Sequence, residues 1–127
     1  MNDESKWISL RRHPRISWGF IVKFRPQDKT SAEWEASTIK DISEGGCFFY
    51  SSTKYQPGQI LEIRVQFPSL TEPMQFTGEV KRCESSVEKK SNIYGIAVCF
   101  LGMDEQKKKE FTRTITFFLS KQQKGKG

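Results

Sequence analysis

The sequence predicts an all-β domain, a six-stranded antiparallel β-barrel with one C-terminal α-helix. Three observations predict it. Apolar residues recur at every second position in a series of short runs. Clusters of Pro, Gly and Asp separate those runs. Near the C-terminus the apolar period changes to that of a helix. Short antiparallel strands at close intervals remove their exposed edges by closing on themselves. A chain of 127 residues suits one domain, and ten Phe with three Trp supply large side chains for a core.

Ile16, Trp18, Phe20, Val22 and Phe24 alternate and predict the first strand, which Pro26-Gln27-Asp28 breaks. Trp34, Ala36 and Thr38 predict a second strand running to a turn at Asp41. After Gly45-Gly46, Cys47–Tyr50 form a short third strand. Gln56-Pro57-Gly58 turns the chain. Leu61, Ile63, Val65 and Phe67 then alternate with Glu62, Arg64 and Gln66 in a half-buried fourth strand, ended by Pro68. Met74, Phe76, Gly78 and Val80 predict the fifth, and Tyr94, Ile96, Val98 and Phe100 the sixth. A polar hairpin loop over 84–92 joins them. Gly95, Ala97 and Cys99, on the other face of the sixth strand, leave room for close packing.

Phe111, Ile115, Phe118 and Leu119 have the spacing of an amphipathic helix, with Asp104 as its N-cap and Lys107–Lys109 on its outer faces. Its expected position is over an edge or an open end of the barrel. Residues 1–9 read as a flexible N-terminal segment, 10–121 as the folded domain and 122–127 as a disordered basic tail. Trp18 and Trp34 read as core or barrel-wall residues.

Lys and Arg outnumber Asp and Glu by 21 to 15, a net charge of +6 that favours anionic partners. Cys47, Cys83 and Cys99 form no CxxC pair, and His13 is the single histidine. A disulfide framework, a zinc site and a nucleophile–base pair are therefore not expected, and the chain does not read as an enzyme or as a holder of a cofactor. It lacks an apolar run of the roughly 18 residues that a spanning helix needs, so membrane insertion is not expected. The opening MNDESKW lacks the apolar centre of a signal peptide, and a cytoplasmic location is the expectation.

Two motifs carry chemistry. Arg11-Arg12-His13-Pro14-Arg15 places guanidinium groups on a segment that Pro14 keeps non-helical. Such groups bind phosphates as forks and stack on flat rings. Asp41-Ile42-Ser43-Glu44-Gly45-Gly46 offers a carboxylate acceptor, a hydroxyl, and glycines that admit a ring close to the backbone. Alone, the first suits a basic arm and the second an Asx-turn.

Together, Arg-x-x-x-Arg at 11–15 and Asp-x-Ser-x-x-Gly at 41–46 resemble the signature of PilZ domains. The resemblance covers roughly residues 10–120. It includes the Tyr-Gly-Ile-Ala-Val-Cys-Phe strand at 94–100 and the closing helix. It implies a bacterial receptor for cyclic di-GMP, of a type linked with motility and biofilm formation. Arg11 and Arg15 would bind phosphates and stack on guanines, with Arg12 as a further contact. Asp41, Ser43 and Gly46, beside Gly45, would meet a guanine, and Gly95 would lie near the ligand. Leu10, in the position before the first motif arginine, implies one ligand per site. The arginine segment would close over the ligand and signal to a downstream protein partner. The alternatives are a single-stranded nucleic-acid-binding barrel, disfavoured because the arginines cluster at one point, and a ligand-free PilZ adaptor.

Overall fold

The alternating runs close into a barrel. The computed structural model describes residues 15–29, 33–85 and 93–126, and the segment 1–9 lies outside them. Its strands are β1 (Ile21–Pro26), β2 (Glu35–Ile42), β3 (Gly46–Ser51), β4 (Ile60–Gln66), β5 (Met74–Ser85) and β6 (Tyr94–Leu101), followed by helix α1 (Glu105–Lys126). The strands run in the order β1-β2-β3-β6-β5-β4, every pairing is antiparallel, and β4 pairs back onto β1. Strand pairing on both sides satisfies the backbone groups that an open sheet would expose.

Inward side chains fill the interior. Val22, Phe24, Ile39, Phe49, Leu61, Ile63, Val65, Val80 and Ile96 are buried, and Phe24 and Phe49 meet with ring centroids 4.4 Å apart. Each such side chain contributes about 1.5–3 kcal/mol through burial. The turn before β4 follows its sequence: Gln59 N–H donates to the Gln56 carbonyl at 3.0 Å, and Gly58 adopts φ 94° at the position where a type II turn requires it.

Helix α1 seals one end of the barrel. Phe111 and Phe118 are 1% and 2% exposed and pack on Phe67, while Phe111 also meets Phe76 and Phe100. Asp104 caps the helix as expected, its Oδ1 accepting Lys107 N–H at 2.8 Å. The helix runs through Lys126, past residue 122 where the basic tail is expected to begin. Gln122 explains why the last turns hold. Its Oε1 accepts Ser17 N–H at 3.0 Å and its Nε2 donates to the Arg15 carbonyl at 3.3 Å, tying the helix end to the segment before β1.

The first strand is shorter than its alternation suggests. Ile16 forms an isolated bridge with Ile42, and Phe20 N–H donates to the Trp18 carbonyl at 2.9 Å, a three-residue turn that interrupts the ladder. That turn takes Trp18 out of the interior: its ring lies 4.8 Å from Phe118 and it is 36% exposed. Trp34 is a wall residue. The guanidinium groups of Arg25 and Arg64 each lie 4.3 Å from its ring.

Candidate functional site

A cleft of about 270 Å³ opens on the barrel wall where the segment before β1, the β2–β3 turn, β5 and β6 meet. Arg15, Asp41, Ser43 and Gly46 from the two motifs line it, together with Cys47, Phe48, Arg82, Ala97 and Val98.

Two β-bulges shape this cleft. The first falls between Ile39 and Asp41 and lets Ile39 and Ile42, three positions apart, both point inward. The same shift turns Asp41 toward the cleft. The second falls between Val80, which is buried, and Arg82, which reaches the cleft from the far side. Bulges re-aim side chains in this way and concentrate beside functional sites.

Arg15 is held from behind and reaches across in front. Its neighbour Ile16 exchanges backbone hydrogen bonds with Ile42 at 2.9 and 3.1 Å, and Gln122 grips its carbonyl. Its Nη1 lies 3.5 Å from Asp41 Oδ1, and both side chains are partly exposed. A partly exposed pair at that distance is worth at most about 1 kcal/mol, so a ligand can displace it. Burial raises the pKa of Asp41, and the Arg15 charge offsets part of that rise. Arg82 forms a similar open pair with Glu84 at 3.6 Å.

The β2–β3 turn presents directed groups. Ser43 is buried, its N–H donates to the Gly46 carbonyl at 2.9 Å, and its Oγ accepts Gly45 N–H at 3.2 Å. The hydroxyl therefore keeps its proton available for a ligand acceptor. Gly45 accepts Phe100 N–H at 3.0 Å, which ties the turn to β6. Gly46 has a structural requirement as well. A Cβ there would collide with the Val98 carbonyl, so β3 and β6 can approach only with glycine at this position.

Gly95 does not line the cleft. A Cβ at Gly95 would lie 2.7 Å from Phe48 Cζ, so this glycine lets the Phe48 ring approach β6 closely. The ring in turn forms an apolar surface of the cleft. Cys47 also borders the cleft, where burial and then the Asp41 charge push its thiol pKa up, away from the thiolate form. Among the described residues, no group of three His, Cys, Asp or Glu could hold a metal ion, and no helix is long and apolar enough to cross a membrane.

Thus four expected residues, Arg15, Asp41, Ser43 and Gly46, come together; Gly45 buttresses the turn, and Gly95 acts through Phe48. Leu10, Arg11 and Arg12 lie outside the described residues. Arg82 and Phe48 were missed. Phe48 had a signal in its outward phase on β3, whereas Arg82 shares the inward phase of Met74, Phe76 and Val80 and is turned out only by the bulge, which no local pattern shows.

The fold and cleft define a small β-barrel domain with an end sealed by a helix and a cationic, aromatic-lined groove on its wall. Residues 9–117 match the family model for the PilZ domain, and the chain belongs to that family. A search of curated proteins finds no significant sequence match. Solved structures share the fold. The PilZ domain of YcgR from Escherichia coli with c-di-GMP is 18% identical with a TM-score of 0.69, over 91% of this chain and 95% of that one. The Bacillus subtilis inhibitor of motility MotI/DgrA is 15% identical with a TM-score of 0.69, over 90% of this chain and 52% of that one. K. pneumonia MrkH in its apo state is 17% identical with a TM-score of 0.71, over 89% and 52%. This chain therefore spans about half the length of MotI/DgrA and of MrkH.

Proposed function

We propose that this chain is a receptor for cyclic di-GMP, which it binds and releases unchanged. The observation that carries the reading is the meeting of Arg15 with Asp41, Ser43 and Gly46 at one cleft, from two motifs far apart in sequence. Asp41 accepts hydrogen bonds from the Watson–Crick edge of a guanine, Ser43 donates to the base, and Phe48 gives an apolar surface for the ring. Arg15 exchanges its weak bond with Asp41 for a phosphate, joined by Arg11 and Arg12. Related folds support the ligand class, since YcgR and MrkH are both described in complex with c-di-GMP.

The cleft of about 270 Å³ falls just short of the roughly 300–1,000 Å³ usual for a complete ligand site. It suits part of a dinucleotide, with the preceding arginine segment covering the rest, and Leu10 fits one ligand per site. Closure of that segment changes the surface around residues 5–16, which a downstream protein partner reads. Isothermal titration with cyclic di-GMP tests the reading. Wild type binds, and Arg15→Ala loses most of the affinity. No heat and no thermal shift with the wild type would overturn it.

A further inference from the structure

We infer that the outer face of α1, with Trp18 beside it, docks an acidic segment of a partner protein that inserts an apolar side chain between aromatic rings. Two large aromatics break the rule that this fold buries its rings. Phe117 is 45% exposed and Trp18 is 36% exposed, and both rings pack on the buried Phe118. A half-exposed aromatic pair held by a rigid ring beneath is an anchor site of the kind that dominates protein interfaces.

Charge selects the partner. Lys109, Arg113, Phe117 and Lys121 succeed one another at intervals of four along the exposed side of the helix, and the Lys121 ammonium lies 5.3 Å from the Phe117 ring. From Lys108 to Lys121, Glu110 is the only acidic residue among the exposed positions, against four cations. An aromatic centre with a cationic rim complements a carboxylate-rich segment carrying Leu, Phe or Trp. A bilayer is the poorer fit. Interfacial helices lay a broad apolar face into lipid, whereas Phe111, Ile115 and Phe118 are only 1–2% exposed and committed to the barrel.

The face is wired to the cleft. Gln122, next to Lys121, grips the backbone of Arg15 and Ser17, so one helix turn joins the docking stripe to the segment that carries both Arg15 and Trp18. Control of docking by ligand rests on the cyclic di-GMP reading; the docking face itself does not.

The test is a phage-displayed library of random 16-residue peptides selected on the full chain, with and without cyclic di-GMP. Selected peptides are then measured by fluorescence anisotropy and mapped by amide chemical shifts. Enriched peptides should place Asp or Glu beside Leu, Phe or Trp and shift the amides of Arg113, Phe117 and Lys121. The double variant Phe117→Ser with Lys121→Glu should weaken them roughly tenfold or more, with an unchanged thermal transition. No enrichment, neutral or basic peptides, or shifts confined to another face would overturn the proposal. Binding to phosphatidylserine vesicles that the same variant abolishes, without peptide binding, would assign the face to membrane instead. Calorimetry with cyclic di-GMP on the same preparations reports the ligand reading separately. Peptide binding without cyclic di-GMP binding leaves the face standing and the ligand reading refuted.

Discussion

Arg15 and Asp41 face each other across 3.5 Å at the mouth of the cleft, one from a segment bridged to β2 and the other from a bulge in β2 itself. Both side chains are partly exposed, so the pair is weak, and on the proposed reading a ligand phosphate takes the place of Asp41.

Burial makes the charged form of Asp41 costly to the fold. Its pKa in the folded chain is raised by burial, despite Arg15, so the folded state holds the proton more tightly than the unfolded state does. The sign follows: stability gained from the protonated form is present below the usual carboxylate value of 3.8 and is lost as pH rises through the raised value. Asp41→Asn should therefore leave the thermal midpoint at pH 7 unchanged or higher. The same change should weaken cyclic di-GMP by about one to two orders of magnitude, the ~1.5–3 kcal/mol of a charge-assisted hydrogen bond. In the wild type, affinity should fall as acidification protonates Asp41. Calorimetry across pH and a melting curve of the variant check both halves.

Arg82 should prove a ligand contact. It reaches the cleft from the wall opposite the motif turn, and its pairing with Glu84 at 3.6 Å is exposed and weak. Arg82→Ala is expected to lower affinity roughly tenfold, with a shallower salt dependence, and Glu84→Gln to raise it slightly. Titrations at two salt concentrations would show this, and equal affinities for wild type and Arg82→Ala would remove Arg82 from the site.

Gly46→Ala should damage the barrel before it damages the ligand. The added Cβ meets the Val98 carbonyl and forces β3 from β6, an overpacking cost of about 1–3 kcal/mol. Urea denaturation should show that loss. Full stability in the variant would mean that this strand pair yields more easily than its geometry indicates.

Gln122→Ala should free the helix end without harming the core. It removes two hydrogen bonds, each worth about 0.5–1.5 kcal/mol, to Arg15 and Ser17. Amide exchange should rise at Ser17 and over the last turns of α1, while Phe111 and Ile115 stay protected. If exchange at Ser17 is unchanged, the clasp is not what holds this segment.

Much of this was legible in local patterns. Alternation at Leu61–Phe67 and Tyr94–Phe100 specified strands because a pleated chain shows one face to the core at every second residue. The Phe111, Ile115, Phe118 stripe and the Asp104 cap specified the helix by the same local logic. The two motifs pointed to an anionic, ring-bearing ligand because their side chains have that chemistry wherever they stand. What no local pattern holds is register. The bulges at Ile39/Asp41 and Val80/Arg82 exist only against their partner strands, and they decide that Asp41 and Arg82 share a cleft. The turn at Trp18 interrupts an alternation that continues on paper, and it leaves that ring against Phe118 outside the barrel. Gly95 matters through Phe48, its cross-sheet neighbour, and Gln122 through residues over a hundred positions away. The sequence by itself thus determined which elements form and which chemistry they carry. Only the closed barrel decided which side chains meet, because pairing across strands is set by the partner and not by the strand.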